Sequence, residues 1–357
     1  MINPPESPLS QRSSDASYVG VPRVTAVIPI RNEAEYISRT LDQVLDQDLT
    51  RVELEVIVVD GESTDGSWEI VMQYVDRDPR VRLVSNPRRL SSAARNLGIG
   101  LATGDYIVIV DGHCEIPSRR YFIDLVEAFE SSGADCLGRP QPQEVMKASP
   151  LQRAIALARS SRLGHHPESF IYTDQPQFVP AKSVAVAYRR GVFDMVGIFD
   201  ENFDAHEDGE FNYRCDRAGL KCFLDPRLTI KYFPRTTLTG LFKQMVRYGR
   251  GRVRFARKHP GNWGLGMLIP AALVVYLALG AVVSCAISQA WVLYALGLVV
   301  YASALSATAA VSAWKTRNVW MLCQIPAVLA TVHIAAGVGT LMDILSSREY
   351  PTVAFRS

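Results

Sequence analysis

The stretch Leu54-Glu-Val-Ile-Val-Val-Asp-Gly-Glu-Ser-Thr-Asp-Gly66 decides the fold of this 357-residue chain. Its first half is a short, mostly apolar run, which is typical of a strand buried on both faces of a parallel sheet. Gly, Ser, Thr and Asp follow at once, and these residues favour a turn with good helix N-caps. The stretch therefore predicts a strand, a turn and a helix, the repeating unit of a parallel α/β sheet.

The same pattern recurs on both sides of this stretch. Further strands are predicted at Val24–Ile30, Val81–Val84, Asp105–Asp111, Ser183–Tyr188 and Leu220–Leu224, and helices at Glu33–Asp46, Ser67–Tyr74 and Leu90–Ala102. This alternation indicates a doubly wound, mostly parallel sheet, in which ligands bind beyond the carboxyl ends of the strands. Asp60 and Asp111 lie at two such ends and are candidate binding residues. The alternative for Asp60 is that its carboxylate caps the following turn.

The segment Asp111-Gly-His113 places a carboxylate and an imidazole two residues apart, so that both could reach one face of a loop. A divalent cation held there would neutralise the charge on a diphosphate leaving group. Magnesium prefers oxygen ligands, whereas manganese accepts a histidine more readily. The alternative for His113 is a turn residue whose hydrogen bonds are satisfied within the loop.

The C-terminal part of the chain has the composition of a membrane anchor. The net charge of +2 hides an asymmetry, because no Asp or Glu occurs between Asp225 and Asp343. A basic cluster at Lys243–Lys258 precedes Pro260–Trp314, which contains no charged residue. That segment is long enough for two membrane spans of about 20 residues each. A membrane surface is therefore the expected partner of the basic cluster, and nucleic acid is not expected.

We expect five regions along the chain. They are a disordered leader at residues 1–21, the α/β domain at 22–237, an amphipathic basic interfacial segment at 238–262, transmembrane helices at 263–343 and a tail at 344–357. Three spans are predicted, at Gly264–Ser288, Ala290–Ala313 and Val319–Met342. Gly249 and Gly251 argue against one continuous helix in the basic segment. The positive-inside rule places the α/β domain in the cytoplasm and the residues from Asp343 onward on the opposite side.

Histidine outside the strand ends is interpreted as structural. His333 lies in the third predicted span, where a helix–helix hydrogen bond is the favoured interpretation over a functional role. Adjacent residues diverge on a regular backbone, so His165 and His166 are expected on a loop surface rather than at a metal.

An acidic run at Phe203–Arg214 holds the candidate catalytic groups. Asp204, Glu207, Asp208 and Glu210 fall within a dozen residues. Repelling carboxylates are usually dispersed unless they bind a cation, a hydroxyl group or a proton. We expect like charge from the two glutamates to crowd Asp208 and favour a bound proton, as suits a general base. The alternative is a solvated helix start with Asp204 or Asp208 as its N-cap.

Five short motifs occur in order along the chain: Val27-Ile-Pro-Ile-Arg-Asn-Glu33, Val58-Val-Asp-Gly-Glu-Ser-Thr-Asp-Gly66, Ala93-Ala-Arg-Asn-Leu-Gly98, Gly104-Asp105 and Val110-Asp-Gly-His113. Each alone is weak, but the ordered set resembles the family-2 inverting glycosyltransferases of the GT-A fold. The resemblance covers about Val24 to Tyr248. The membrane tail and Gln244–Arg252 resemble a membrane-bound subgroup, similar to the succinoglycan-type glucosyltransferases of exopolysaccharide assembly.

The resemblance implies which residues would bind the donor. The residues that would contact the nucleotide sugar are Pro29, Arg31, Glu33, Asp60, Arg95 and Asp111. Asp60 would read the base, usually uracil, and Arg95 would approach the diphosphate. Asp111 and His113 stand where the family usually has Asp-x-Asp, so they would hold Mn²⁺ or Mg²⁺. Histidine in place of the second aspartate is a departure from that pattern, and it leaves the identity of the metal open and, to a lesser degree, the dependence on a metal.

The resemblance also implies the catalytic and acceptor residues. Glu207 and Asp208 match the family's Glu-Asp pair, in which the aspartate is the general base. Gln244, Arg247 and Tyr248 match a Gln-x-x-Arg-Trp element near the acceptor or the diphosphate, with Tyr in place of Trp. The alternative for Arg247 and its neighbours is contact with lipid headgroups alone.

The expected activity is inverting transfer of a hexose from a nucleoside-diphosphate sugar, with a UDP-sugar expected, to a hydroxyl group of a lipid-linked (polyprenyl) saccharide. The reaction would serve polysaccharide or glycolipid assembly at the cytoplasmic face of the cytoplasmic membrane. One alternative is a polyprenyl-phosphate glycosyltransferase, whose acceptor is already an anion and needs no base. The other is a non-catalytic membrane protein that binds nucleotide sugars.

Overall fold

The computed structural model describes residues 20–143, 145, 148–165, 169–287 and 289–346. The predicted leader and tail, and His166, fall wholly or almost wholly outside these residues. The strands within them are β1 (Arg23–Ile30), β2 (Glu53–Asp60), β3 (Val81–Ser85), β4 (Tyr106–Ile109), β5 (Cys114–Glu115), β6 (Cys136–Gly138), β7 (Gln177–Val179), β8 (Ala185–Arg189), β9 (Cys222–Leu224) and β10 (Lys231–Tyr232).

The helices follow the strands in the first part of the chain and stand alone in the last. They are α1 (Ile37–Leu45), α2 (Ser67–Val75), α3 (Ser91–Leu101), α4 (Tyr121–Ser132), α5 (Pro150–Ser160), α6 (Gly191–Val196), α7 (Glu207–Arg217), α8 (Leu238–Lys258), α9 (Leu265–Ala286), α10 (Ala290–Thr316) and α11 (Met321–Ile344).

Eight strands form one sheet in the order β3-β2-β1-β4-β8-β6-β9-β7. β1 pairs in parallel with β2 and β4, and β2 pairs in parallel with β3. β8 runs antiparallel to its neighbours β4 and β6, whereas β6 and β9 are parallel and β7 closes the edge antiparallel to β9. The predicted doubly wound, mostly parallel α/β sheet is therefore confirmed.

The apolar strands are buried because both faces of the sheet are covered. Ala26 and Ile28 of β1 face a core shared with α1, α2 and α4, whereas Val27 faces a second core shared with α3 and α7. Alternate residues of one strand thus enter opposite cores, which explains why the run is apolar throughout. Leu41 of α1 is fully buried in the first core.

The strand register brings the predicted binding segments to one edge. Ile30 pairs with Asp60, and Val27 pairs with Ile109. The segments that follow β1, β2 and β4 therefore leave the sheet side by side, as expected for ligand binding at the carboxyl ends of parallel strands.

The first helix begins later than predicted. Asn32 has a φ of 57°, in the left-handed region, and α1 begins only at Ile37. The Ser67 hydroxyl accepts from the backbone N–H of Glu33, and an Asp65 carboxylate oxygen accepts from that of Ala34. Side chains of the next turn thus satisfy the backbone groups that a first helical turn would leave unpaired.

The basic segment is one continuous helix, α8, so the prediction that its glycines interrupt it is wrong. A Cβ on Gly249 would lie 2.3 Å from the carbonyl oxygen of Ala336, and one on Gly251 would lie 2.6 Å from that of Ala205. Both glycines therefore permit close contact with α11 and with the loop before α7. In a helix held by such contacts, packing outweighs the weak helix propensity of glycine.

Three helices among the described residues, α9, α10 and α11, are long and apolar enough to span a membrane. They match the three predicted spans to within a few residues. α11 packs against α8 and α5 as well as against α9 and α10. The His333 ring lies 3.1 Å from the Tyr301 hydroxyl through Nδ1 and 2.8 Å from the carbonyl oxygen of Leu163 through Nε2. The predicted helix–helix hydrogen bond of His333 is thereby confirmed.

The end of α11 lies beside α8 rather than far from the catalytic part. Asp343 is 1% exposed, and its carboxylate is 3.3 Å from Nε of Arg254. Arg257 donates to the carbonyl oxygen of Ile344. This buried carboxylate thus takes its counter-ion from the basic helix, and the side of the membrane on which Asp343 lies stays a prediction.

Candidate active site

A cavity of about 1070 Å³ lies where the segments after β1 and β4 meet α3, α5, α7 and α8. It brings together all the predicted site residues except Asp60. The predicted residues that line it are Pro29, Arg31, Glu33, Arg95, Asp111, His113, Glu207, Asp208, Gln244, Arg247 and Tyr248. Motifs far apart in the chain thus converge on one space.

Asp60 lies beneath the cavity wall. Its carboxylate accepts hydrogen bonds from the backbone N–H and the hydroxyl of Ser63, and the Ser63 hydroxyl accepts from the N–H of Asn32. Asp60 is 1% exposed, whereas the adjacent Gly61 lines the cavity. This arrangement fits the turn-capping alternative, and contact between Asp60 and a nucleotide base stays a prediction.

The predicted metal ligands are oriented by a third side chain. Nδ1 of His113 lies 2.9 Å from Oε1 of Glu33. Among the described residues no hydrogen bond to Nε2 of His113 is found, so this nitrogen is available to a ligand. Burial alone would lower the pKa of His113, but the hydrogen bond to Glu33 and the charges of Glu33 and Asp111 raise it above its ordinary value.

Nearby positive charge favours the ionised form of the half-buried Asp111 carboxyl. Burial raises the pKa of its carboxyl, but His113 and Arg95 outweigh burial, and a hydrogen bond from Tyr232 adds to them, so the pKa is lowered. Within the described ranges, no three His, Cys, Asp or Glu side chains come close enough to hold a metal ion by themselves. Any cation here would need further ligands from a substrate or water.

Arg139 and Tyr232 are functional candidates that the sequence reasoning missed. Arg139 is 1% exposed and donates to the Tyr121 hydroxyl at 2.7 Å, the Ile109 carbonyl oxygen at 3.1 Å and the Tyr232 hydroxyl at 3.2 Å. A single arginine at the end of a three-residue strand carries no periodic signal. The structure shows it as a buried cation beneath Asp111, whose pKa it helps to lower.

The acidic run opens α7, as predicted, and its two glutamates are paired with cations. Buried Glu207 faces Arg95, with Oε1 at 3.4 Å from a guanidinium nitrogen. Glu210 is fully buried and contacts Arg214, Lys258 and His259. Asp208 is exposed and lines the cavity, and its carboxylate accepts a hydrogen bond from the N–H of Gly209. A cation therefore compensates each glutamate, which reduces the like charge that the sequence predicts around Asp208.

The helix start also excludes the capping alternative for the run. The N-cap of α7 is His206, with a φ of 67° and no side-chain capping bond. Neither Asp204 nor Asp208 occupies that position. A Cβ on Gly209 would lie 2.4 Å from the His206 ring, so glycine is needed for this tight entry.

Arg95 connects the two halves of the site. Burial would lower its pKa, but the charges of Glu207, Asp208 and Asp111 raise it. Its Nε is buried and has no hydrogen-bond partner among the described residues. A buried guanidinium nitrogen without a partner is costly unless a ligand completes it.

α8 holds the acidic loop from the acceptor side. Arg247 donates to the backbone carbonyl of Asp204, and Arg254 pairs with the Asp204 carboxylate. Gln244 Nε2 donates to the Tyr248 hydroxyl at 3.2 Å. Two arginines of the basic cluster therefore bind the loop before α7. Fewer of its charges are left to contact lipid headgroups than the composition suggests.

Comparison with known proteins identifies the relatives of this chain. Residues 25–193 match the family model described as Glycosyl transferase family 2. Over 260 residues the chain is 34% identical to the succinoglycan biosynthesis protein ExoA of Rhizobium meliloti (strain 1021), covering 72% of this chain and 77% of that protein.

A more distant relative and a solved structure are also similar over most of the chain. A dolichyl N-acetyl-alpha-D-glucosaminyl phosphate 3-beta-D-2,3-diacetamido-2,3-dideoxy-beta-D-glucuronosyltransferase of Methanococcus voltae is 24% identical over 263 residues, covering 71% of this chain and 79% of that protein. The mannosyltransferase PcManGT from Pyrobaculum calidifontis, solved with GDP-Man and Mn²⁺, aligns with a TM-score of 0.58 at 23% identity, covering 91% of this chain and 88% of that one. At that identity the likeness shows the fold alone.

Proposed function

This chain belongs to glycosyl transferase family 2 and is a glycosyltransferase, and from that premise we propose that it transfers a hexose from a UDP-sugar to a hydroxyl group of a lipid-linked polyprenyl saccharide. Transfer would proceed with inversion, in polysaccharide or glycolipid assembly. The observation that carries the proposal is the shared cavity: exposed Asp208 and the half-buried pair Asp111 and His113 line one space, with Arg95 among them.

Asp208 is the proposed general base. A sugar hydroxyl is a poor nucleophile at neutral pH, and a positioned base contributes roughly 100- to 10,000-fold in rate. Glu207 forms an ion pair with Arg95, and Glu210 forms one with Lys258. Asp208 is therefore the carboxylate proposed to accept the proton. Attack from the side opposite the leaving diphosphate inverts the anomeric carbon without a covalent enzyme intermediate.

Arg95 is proposed to bind the donor diphosphate. Its unpaired Nε and its position near Asp111 suit a phosphate oxygen as the missing partner. Pro29, Arg31 and Glu33 on the segment after β1 would line the nucleotide.

Asp111 and His113 fit a divalent cation that also takes ligands from the substrate. Two protein ligands, one of them a histidine held by a carboxylate, are typical of a cation that completes its shell with substrate phosphates and water. Such a cation would supply charge neutralisation of the leaving diphosphate. The imidazole ligand favours Mn²⁺ over Mg²⁺, and the Pyrobaculum enzyme was solved with Mn²⁺.

The acceptor assignment rests on the relatives and on the membrane helices. One relative is named for succinoglycan biosynthesis and another for a dolichyl phosphate-linked sugar. Gln244, Arg247 and Tyr248 of α8 line the cavity beside the helices that can span a membrane, and they would face the acceptor. We propose that residues 22–237 form the catalytic domain at the cytoplasmic face of the cytoplasmic membrane, with 238–262 at the interface and 263–343 in the bilayer.

The proposal is tested with Asp208→Asn in the purified full chain. We expect kcat to fall more than about a hundredfold, while UDP still raises the melting temperature by mass action. Asp76→Asn, an exposed carboxylate outside the cavity, is the matched control and should leave kcat unchanged.

Three results would decide against parts of this proposal. Unchanged kcat in Asp208→Asn would favour a polyprenyl-phosphate acceptor that needs no base. A thermal shift with GDP but with no uridine ligand would remove the UDP assignment. Absence of both sugar transfer and donor hydrolysis with Mn²⁺ would leave a nucleotide-sugar-binding protein.

A further inference from the structure

Two arginines in the cavity have no part in the site described so far. Arg159 of α5 and Arg252 of α8 line the cavity together with Tyr172 and Tyr248. The guanidinium carbon of Arg159 lies 6.0 Å from the centroid of the Tyr248 ring, and one of its terminal nitrogens lies 3.5 Å from Sδ of Met245. The part of the cavity lined by these two arginines and two tyrosines is called the arginine corner.

Neither arginine has an acidic partner among the described residues. Nε of Arg159 is buried without a hydrogen-bond partner, and Arg252 forms no hydrogen bond or ion pair within those same residues. Burial and the charge of Arg159 lower the pKa of Arg252. By contrast, Arg254 and Lys258 on the same helix are each paired with carboxylates. Two half-buried cations that line one cavity without a carboxylate partner favour a bound anion.

The arginine corner adjoins the helices that can span a membrane. Ile155 and Leu241 line the cavity and belong to a hydrophobic core that also contains Leu305 of α10 and Val328 of α11. Beyond the end of α5, the carbonyl oxygen of Leu163 meets the His333 ring of α11. An anion in this corner would thus lie next to the apolar core that joins α5 and α8 to the helices that can span a membrane.

We propose that Arg159 and Arg252 form a subsite for the phosphate or diphosphate that joins the acceptor saccharide to its lipid. The inference rests on the proposed function and names the part of the acceptor that is bound. The donor side has its own charged groups, Arg95 with Asp111 and His113, on different elements. Arginine suits a phosphate because its planar fork donates to two oxygens at once, and Tyr248 would flank the bound group.

The test measures binding of farnesyl diphosphate to the full chain in phosphatidylcholine nanodiscs. Arg159→Gln and Arg252→Gln are each expected to weaken this binding tenfold or more, and UDP affinity should stay within twofold of wild type. Lys243→Gln, which removes an exposed charge from the same helix outside the cavity, should bind both ligands as wild type does. Farnesol tests the contribution of the isoprenoid alone, and inorganic diphosphate tests that of the anion alone. Both should bind less tightly than farnesyl diphosphate.

Retained UDP affinity shows that the variants are folded, so each remaining outcome is decisive. Farnesyl diphosphate binding that is unchanged in both variants would overturn the subsite. A matching loss of UDP affinity, in variants that melt at the same temperature as wild type, would assign the arginines to the donor. Weaker association with phosphatidylglycerol vesicles alone, with farnesyl diphosphate binding intact, would assign them to membrane headgroups, against the proposal.

The subsite and the proposed function fail in different ways. If the arginine variants bind farnesyl diphosphate normally while Asp208→Asn abolishes transfer, the subsite is wrong and the function stands. If the variants lose this binding while Asp208→Asn keeps full activity, the anion is bound but no base-assisted transfer to a hydroxyl occurs.

Discussion

Glu33 acts on the proposed cation through His113. Its carboxylate holds Nδ1 of the imidazole, which leaves Nε2 as the nitrogen that can reach a metal. Contacts of this kind usually change metal affinity 10- to 100-fold when removed. We expect Glu33→Gln to weaken Mn²⁺ binding by that factor, measured by electron paramagnetic resonance titration of the UDP-bound protein.

Glu35→Gln is the matched control for this measurement, because Glu35 is an exposed carboxylate that lines the same cavity without contacting His113. Glu35→Gln should bind Mn²⁺ within about threefold of wild type if the contact between Glu33 and His113 matters more than the negative charge near the site. Equal affinity in the Glu33 variant and in wild type would show that the imidazole needs no such support.

Glu210 makes the stability of the fold depend on pH. Burial raises its pKa, but hydrogen bonds and charge from His259, Arg214 and Lys258 outweigh burial and lower it from 4.5 to about 2. A carboxyl with a depressed folded pKa stabilises the protein fully above its unfolded pKa, and that stability is lost as the pH falls toward the folded pKa. The stabilisation is on the order of 3 kcal/mol and should disappear between about pH 5 and pH 2.

The measurement compares thermal unfolding of wild type and Glu210→Gln from pH 7 down to pH 3. The variant should melt lower at pH 7, since it leaves Lys258 and His259 without their shared carboxylate. The difference in melting temperature between wild type and the variant should become smaller as the pH falls below 5. A difference in melting temperature that stays constant over this pH range would contradict the lowered pKa of Glu210.

At the residue scale, sequence reasoning located the groups but not their partners. The ordered motifs predict that Glu33, Asp111, His113 and Asp208 share a site, and they do line one cavity. That Glu33 bonds to His113 depends on two loops meeting in space. Arg139 could not be found either, because a buried cation is recognised only by its surroundings.

At the scale of the elements, packing determines that α8 is continuous, which its composition alone does not. Gly249 and Gly251 lower helix propensity, yet the helix is continuous because each glycine admits a neighbouring backbone. Propensity is visible in the sequence, whereas the position of α11 is not. The strands were easier to predict, since burial on both faces leaves an uninterrupted apolar run.

The contact between α8 and α11 gives a prediction for a single methyl group. A Cβ at Gly249 would lie 2.3 Å from the Ala336 carbonyl oxygen, so Gly249→Ala must push the helices apart. We expect a loss of about 1–3 kcal/mol, seen as a lower melting temperature of the detergent-solubilised protein. In Gly100→Ala, the control in α3 with open space around it, stability should rise by up to ~1 kcal/mol. A melting temperature that rises equally in both variants would refute the close contact.

On the scale of the whole molecule, the catalytic part and the apolar helices share one core. Ile155 of α5 and Met245 of α8 are buried against Leu329 of α11. Arg254 bridges Asp204, in the loop before α7, to Asp343 at the end of α11. The sequence suggests a soluble domain followed by a separate anchor, because the hydropathy of the two parts differs. The sequence does not reveal the core that the two parts share, because its residues come from three distant segments.

This shared core predicts that the α/β part does not fold well alone. A fragment of residues 1–264 would expose Ile155, Leu241 and Met245, and each such side chain costs about 1.5–3 kcal/mol when it is left in water. It would also lose Asp343, the buried partner of Arg254. We expect the fragment to aggregate on size-exclusion chromatography, or to melt at least 10 °C below the full chain in the same detergent, with weaker binding of UDP. A monodisperse fragment with full UDP affinity would show instead that the helices serve only as an anchor.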